Sequence, residues 1–439
     1  MAIHVQSMAI DGNRWQFLYL RFQIVNSMKK ILLLSFLAAM FLSGCLDFQK
    51  NIPQGPWLGV IRIDSAVPDM DLPFNMIYEK NIESETMYVL NADETIFITE
   101  IDRVGDSLYM KFPVFSSEIT AEFRHDSLVG RYYPKGIEAS TWYAFYAIPG
   151  VDERFPWYTD EPTADVTGRW RFIENPGTPD SNILVGEFRQ EGGRVTGTIL
   201  NPTGDYRYLE GKVSGNNFML SGIDGAHTLI FAAAISRDGT LENGRFMGSP
   251  GWKATWRAVR DEEASIPRGE FLIRLKPDAG PFTFSFPEIN GDTISLTDTR
   301  FKDKVVIVQA VGTWCPNCLD EAVFYRDIYS EYKDQGLEII ALSFEDTTLE
   351  ASMPRMKRFM EQTGVTYPFL YAGPRGRESI RTVLYPFEGI IAYPTTIFID
   401  KKGKIRKVET GFSGPGTGEH YDQYVDETRG FINELLREK

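Results

Sequence analysis

Apolar residues follow two different rhythms along the chain. Between about Trp57 and Val259 they alternate with polar ones in short segments broken by Gly, Asn and Asp, as at residues 95–100, 107–112, 194–200 and 217–221. A period of two with such breakers predicts antiparallel strands joined by tight connections. After Cys45, little helical periodicity is present until about residue 317. From about Gly269 the rhythm changes. Residues 305–311 and 337–344 predict buried strands, 319–335 and 353–363 helices, and 282–286 with 293–296 a short hairpin. Residues 395–400 and 405–410 predict two strands joined by Lys401-Lys402-Gly403-Lys404, and 431–437 a closing helix. That succession indicates an α/β or α+β sheet covered on both faces. The polar run from Asp261 to Gly269 marks the boundary between the two rhythms.

The first region repeats itself. Gly55-Pro56-Trp57 is echoed by Gly168-Arg169-Trp170, and Gly130-Arg131-Tyr132 with Trp142 by Gly244-Arg245-Phe246 with Trp256 at the same internal spacing. Gly105 before Leu108-Tyr109-Met110 parallels Gly215 before Phe218-Met219-Leu220. Two copies of a β unit follow, closing as one barrel-like body or packing as two small sandwiches. Their Trp and Tyr residues read as core and rim rather than as a binding surface.

At 439 residues, with 43% hydrophobic and 24% charged content, the chain has room for two or three globular domains. A net charge of -14 leaves no basic face for nucleic acid. Four scattered histidines and three cysteines provide one CxxC and no second ligand pair, so no metal is expected and redox chemistry is favoured over zinc. That CxxC lies in residues 305–321, VVIVQAVGTWCPNCLDE: a buried strand, a turn at Gly312-Thr313, then a helix opening at the cysteines. A thiol at a helix N-terminus faces unsatisfied N–H groups and the positive end of the dipole, which favour its thiolate. The thiolate is the nucleophile of disulfide exchange. Pro316 suits the first helical turn, where its missing N–H is not needed.

WCPNC after a buried strand, followed by Tyr393-Pro394-Thr395-Thr396 before the hairpin, resembles the thioredoxin-fold domain of TlpA-type thiol-disulfide oxidoreductases. The run Thr410-Gly411-Phe412-Ser413-Gly414-Pro415-Gly416-Thr417-Gly418 resembles that of lipid-anchored, Bacteroidetes-like members. The resemblance covers about residues 275–439. It implies that Cys315 is the nucleophile beside Trp314, that Cys318 resolves the mixed disulfide, and that Pro394 is cis. The loop of Tyr393, Pro394 and Thr395 would then offer backbone to a substrate chain. Glu321 stands three residues after Cys318 on the same helical face. The resemblance gives it the proton of Cys318, because Gln309 occupies the strand position where thioredoxin has an aspartate. Asn317, with Pro316, sits at the potential-tuning dipeptide; oxidising relatives often carry histidine at the Asn317 position. The glycine-rich run lacks a P-loop lysine and setting, so it reads as a structured loop beside the active site.

Met28-Lys29-Lys30, an apolar stretch at 31–41 too short to span a bilayer, and Leu42-Ser43-Gly44-Cys45 resemble a bacterial lipoprotein signal with its lipobox. This implies cleavage before Cys45, lipidation of that residue, and a cell-envelope location facing the periplasm. Leu46 in place of a retention-type Asp points to the outer membrane. With Cys45 lipidated, Cys315 and Cys318 are the remaining thiols.

The expected organisation is an upstream extension (1–27), a signal peptide (28–44), β units at 46–160 and 161–262, a linker (263–274) and a thioredoxin-like domain (275–439). The expected function is a membrane-anchored reductase of protein disulfides, fed by a membrane thiol donor, with the Cys315–Cys318 couple and no other cofactor. The β region would space the redox domain from the membrane or bind a partner. The alternatives are a binding lipoprotein that works through the β region, and a disulfide-forming oxidase.

Overall fold

A computed structural model describes residues 52–135, 140–249 and 251–439. The proposed extension, signal segment and lipidated Cys45 lie outside the described residues.

The alternating segments form strands, and each unit closes on itself. In the first, nine segments from Gly55–Arg62 to Tyr143–Pro149 pair antiparallel with their sequence neighbours, the fourth and fifth excepted, and the last pairs back onto the first. Glu94–Ile98 and Glu100–Val104 are halves of one strand bent at Thr99. The first half pairs with Glu85–Asn91 and the second with Ser107–Lys111, which completes an eight-stranded ring. The second unit runs from Gly168–Glu174 to Trp252–Arg260 and closes through the pairing of those two strands. The architecture is therefore two barrels, rather than the joint barrel or the paired sandwiches that the sequence suggested. Eight strands give an interior just wide enough for side chains to fill. Trp57, Phe74, Tyr132 and Phe145 fill the first, and Trp170, Phe172, Phe218 and Trp256 the second.

The repeat is visible in side-chain detail. Trp57 Nε1 donates to the carbonyl of Pro53 (2.9 Å) and Trp170 Nε1 to that of Val166 (2.8 Å), each four residues back. Gly130 and Gly244 both sit where a neighbour leaves no room. A Cβ at Gly130 would run into the Thr120 carbonyl, and one at Gly244 into the Trp256 ring.

The barrels pack side to side. Met219, Ile230 and Met247 of the second join the buried cluster of the first. Arg154, on the connection between them, donates to Asn75 Oδ1 (2.9 Å) and to the Leu90 (2.5 Å) and Ser221 (3.0 Å) carbonyls. Burial lowers its guanidinium to about 10.

The C-terminal domain carries a five-stranded sheet. Its elements are β1 (Val305–Val311), α1 (Pro316–Tyr332), β2 (Leu337–Glu345), α2 (Leu349–Thr363), β3 (Phe369–Pro374), α3 (Arg377–Val383), β4 (Thr395–Ile399), β5 (Ile405–Thr410) and α4 (Glu419–Arg437). The order across the sheet is β3-β2-β1-β4-β5. β1, β2 and β3 are parallel; β4 and β5 are antiparallel to their neighbours. β1 is buried along its whole length, as its unbroken apolar run requires. α1 begins three residues earlier than the expected 319–335, which places Cys318 in its first turn. α4 is far longer than the expected 431–437.

Gly130→Ala is expected to destabilise the first barrel by about 1–3 kcal/mol through overpacking. Urea denaturation followed by far-UV circular dichroism measures it; an unchanged midpoint would contradict the close approach of Thr120.

Candidate active site

The dithiol sits where β1 gives way to α1, and the turn between them is anchored from β2. Thr313 donates to Glu345 through its backbone N–H (3.1 Å) and its hydroxyl (2.6 Å), and Ser343 adds a third bond to that carboxylate (2.5 Å). Trp314 Nε1 donates to the Phe344 carbonyl (2.8 Å). Cys315 is the N-cap residue of α1: its sulfur accepts from the Cys318 N–H (3.2 Å), the geometry that stabilises a thiolate. Cys315 and Cys318 form a disulfide with Cα atoms 5.2 Å apart. Cys315 is 5% exposed and Cys318 is fully buried, so an incoming sulfur reaches Cys315 first.

The Tyr393–Pro394 peptide is cis, and the Tyr393 carbonyl lies 3.7 Å from Cys315 Sγ. The Tyr393 ring meets Trp314 edge-on at 5.1 Å. Arg375 lies 4.3 Å above the centre of the Trp314 ring and pairs with Asp346 (3.0 Å). Thr395 faces inward, its hydroxyl donating to the Ala392 carbonyl (2.7 Å) and lying 2.9 Å from Thr410 Oγ1. Tyr393 and Trp314 are half-buried, whereas Pro394 and Thr395 are buried. The rim beside the nucleophile is therefore aromatic.

Glu321 is buried at 1% exposure, one turn along α1 from Cys318. Gln309 Nε2 donates to one of its oxygens (2.7 Å) and Thr396 Oγ1 to the other (2.6 Å). Desolvation outweighs both bonds and pushes its carboxyl up to about 8. Gln309, on the strand, is the orienting partner of this acid.

The residues between the cysteines are held from outside the domain. In the second barrel the strands Arg194–Asn201 and Leu209–Ser214 are joined by a long excursion that includes Asp205 and Arg207. Arg207 donates to the Pro316 carbonyl (3.2 Å) and pairs with Asp320 (2.6 Å); Asn317 Nδ2 donates to Asp205 (3.3 Å). Glu94 of the first barrel pairs with the same guanidinium (2.5 Å). Burial raises Asp320 to about 7 despite Arg207.

Glu94, Asp205, Arg207, Asp320, Glu345 and Arg375 were not singled out from the sequence. Charged residues lying within strand turns carry no local mark of a distant partner. Only Asp320 had a signal, its place beside Glu321.

The Redoxin family profile matches residues 277–425. The thiol-disulfide oxidoreductase ResA of Bacillus thuringiensis is 33% identical over 160 residues, 36% of this chain and 83% of the relative. ResA of Bacillus cereus is 33% identical over 142 residues, 32% of this chain and 72% of the relative. A thioredoxin-family thiol:disulfide interchange protein from Chlorobium tepidum aligns at 22% identity over 37% of this chain and 99% of its own, with a TM-score of 0.29. Both sequence matches fall short of the chain's full length, and the Redoxin match begins after the barrels.

Glu321 also sets a pH dependence. Its folded-state carboxyl keeps its proton until about 8, whereas the unfolded one loses it near the ordinary 4.5. Between those values the folded state binds more protons, so the contribution of Glu321 to stability falls as pH rises. Glu321→Gln is expected to raise the urea midpoint at pH 8 relative to wild type, with little gain at pH 5. An equal effect at both pH values would contradict the raised carboxyl.

Proposed function

The chain belongs to the TlpA-type thiol-disulfide oxidoreductases that include ResA, and we propose that it works as a reductase of protein disulfides in the cell envelope. The observation that supports dithiol exchange is the partition of roles around one helix start, and the reductase direction follows the resemblance, in which oxidising relatives often carry histidine where Asn317 stands here. A nearly buried nucleophile caps the helix, a fully buried resolving thiol lies in its first turn, and a buried acid stands one turn further on.

In the proposed cycle, the Cys315 thiolate attacks one sulfur of a substrate disulfide. A Cys315–substrate bond forms and the other substrate sulfur leaves as a thiolate that takes up a proton. Glu321 then accepts the proton of Cys318, and the Cys318 thiolate attacks Cys315 Sγ. The mixed disulfide breaks, the second substrate sulfur departs and is protonated, and Cys315–Cys318 remains oxidised. The substrate has gained two electrons and two protons. A carboxyl near 8 suits both halves of the cycle, because it gives and takes a proton close to neutral pH. Trp314, Tyr393 and the Pro394–Thr395 backbone form the platform that receives the substrate chain, with Pro316 and Asn317 setting the couple's poise. The couple itself serves as the redox centre, with no metal or organic cofactor.

Return of the couple to its dithiol requires an external donor, which we place in the membrane as a thiol carrier. Lipidation at Cys45 would tether the protein facing the periplasm, with the Leu46 position favouring the outer membrane. Absence of lipid-modified Cys45 from mass spectra of the membrane fraction would contradict the tether.

In insulin reduction, Cys315→Ser is expected to abolish turnover. Cys318→Ser should stop turnover while accumulating a protein–substrate adduct on non-reducing gels. Glu321→Gln should slow turnover on the order of 100-fold near neutral pH. Full activity in both cysteine variants would end the proposal. Redox titration separates it from the oxidase reading, since a reductase sits well below the glutathione poise.

A further inference from the structure

We propose that the Asp205–Arg207 segment of the second barrel is a positioning element of the redox site, and that it makes the Cys315–Cys318 couple more reducing. This rests on the thiol–disulfide reading above and assigns the β region a part in it.

Both residues between the cysteines are bonded to this one excursion. Arg207 reaches the Pro316 carbonyl (3.2 Å) and Asp205 accepts from the Asn317 amide (3.3 Å), which also donates to the Phe412 carbonyl (3.3 Å). Asp205 is itself fixed by the N–H groups of Gly414 (2.8 Å) and Arg207 (2.6 Å). The matching turn of the first barrel needs only Ala92 and Asp93 to join its strands, so barrel closure does not require the longer connection. That shorter turn leads straight into Glu94, which pairs with Arg207. The two equivalent turns converge at the start of α1.

The glycine run after β5 is the seat of this contact. A Cβ at Gly411 would stand 2.6 Å from Thr203, at Gly414 2.8 Å from Asp320, and at Gly416 3.1 Å from the Arg207 backbone. On the barrel side, a Cβ at Gly204 would stand 2.9 Å from the Asn317 amide. The backbones meet because neither carries side chains there.

Charge gives the direction. Oxidised, the couple is neutral; reduced, it carries a thiolate on Cys315. Glu94 and Asp320 pair with the single guanidinium of Arg207, Asp224 and the Tyr208 phenol face it as well, and Asp205 and the Tyr421 phenol act on Asp320. Once Asp320 is ionised, above about 7, the cluster carries excess negative charge. That charge disfavours the thiolate, favours the disulfide and lowers the reduction potential.

The test equilibrates the full chain with glutathione buffers, in which two glutathione thiols reduce the protein disulfide and become glutathione disulfide. The protein thiols are read by alkylation and mass spectrometry. At pH 8, Asp320→Asn and Asp205→Asn are each expected to favour the dithiol about tenfold, equivalent to about 30 mV. The Cys315 thiolate, followed by its ultraviolet absorbance, should appear at lower pH. The Asp320→Asn difference should shrink at pH 6, where wild-type Asp320 is already protonated. Should a carboxylate variant fail to fold, Glu94→Gln, which removes another negative charge paired with Arg207, is expected to move the equilibrium the same way. Equilibria within about twofold of wild type in every folded variant would reduce the barrel to a scaffold and overturn the inference. Failure of the wild-type chain to exchange disulfides at all would instead sink the parent reading.

Discussion

A guanidinium out of water must be surrounded by charge and hydrogen-bond acceptors, and Arg207 of the second barrel finds them in both other bodies. Glu94 comes from the first barrel, Asp320 and the Pro316 carbonyl from the redox domain. Removing one partner from a buried charge network leaves others uncompensated, which is far more destabilising than losing a surface pair. The cluster therefore ties the two barrels and the redox domain together. It sits at the start of the helix that carries the dithiol, so the bodies meet at the region of highest chemical consequence.

Glycine and burial serve that constraint from the other side. The run from Gly411 to Gly418 resembles a ligand loop in composition, yet the neighbours it makes room for are Thr203, Arg207 and Asp320. The linker is likewise drawn in. Ala264 packs with Val185 and Leu200 of the second barrel, and Gly269 lies against the Thr410 backbone. Val114 and Phe115 of the first barrel enter the core beneath α1 and α2. The β region is built against the redox domain on several fronts.

Much of the dithiol centre could be read from sequence because its parts are local or occur in a fixed order. The strand, the CxxC at a helix start, the Tyr393–Pro394 peptide and Glu321 one turn past Cys318 all occupy the expected places. The duplication was legible through Gly and Trp spacing, because those residues mark tight approaches and large core volumes. Closure was not, since a strand's periodicity does not say which strand lies beyond its edge. Arg207–Pro316 and Asp205–Asn317 join residues 109 and 112 positions apart, and nothing in either segment encodes the other. The sequence pattern marks only the end of α4, because Gly430 interrupts it and its earlier inner face is made of Tyr421, Tyr424, Val425 and Thr428 rather than Leu and Ile.

The bend at Thr99 has a consequence away from the chemistry. By letting one strand serve two neighbours, it allows the first barrel to end on the strand where it began, as the second also does. A ring has no outer row of unsatisfied N–H and C=O groups on which another chain can build. Copies tethered to a common lipid surface, as proposed here, would meet one another repeatedly in two dimensions. Within the two rings such neighbours find no strand edge to extend, which leaves pairing edges only outside the rings, as at β3 and β5 of the redox sheet.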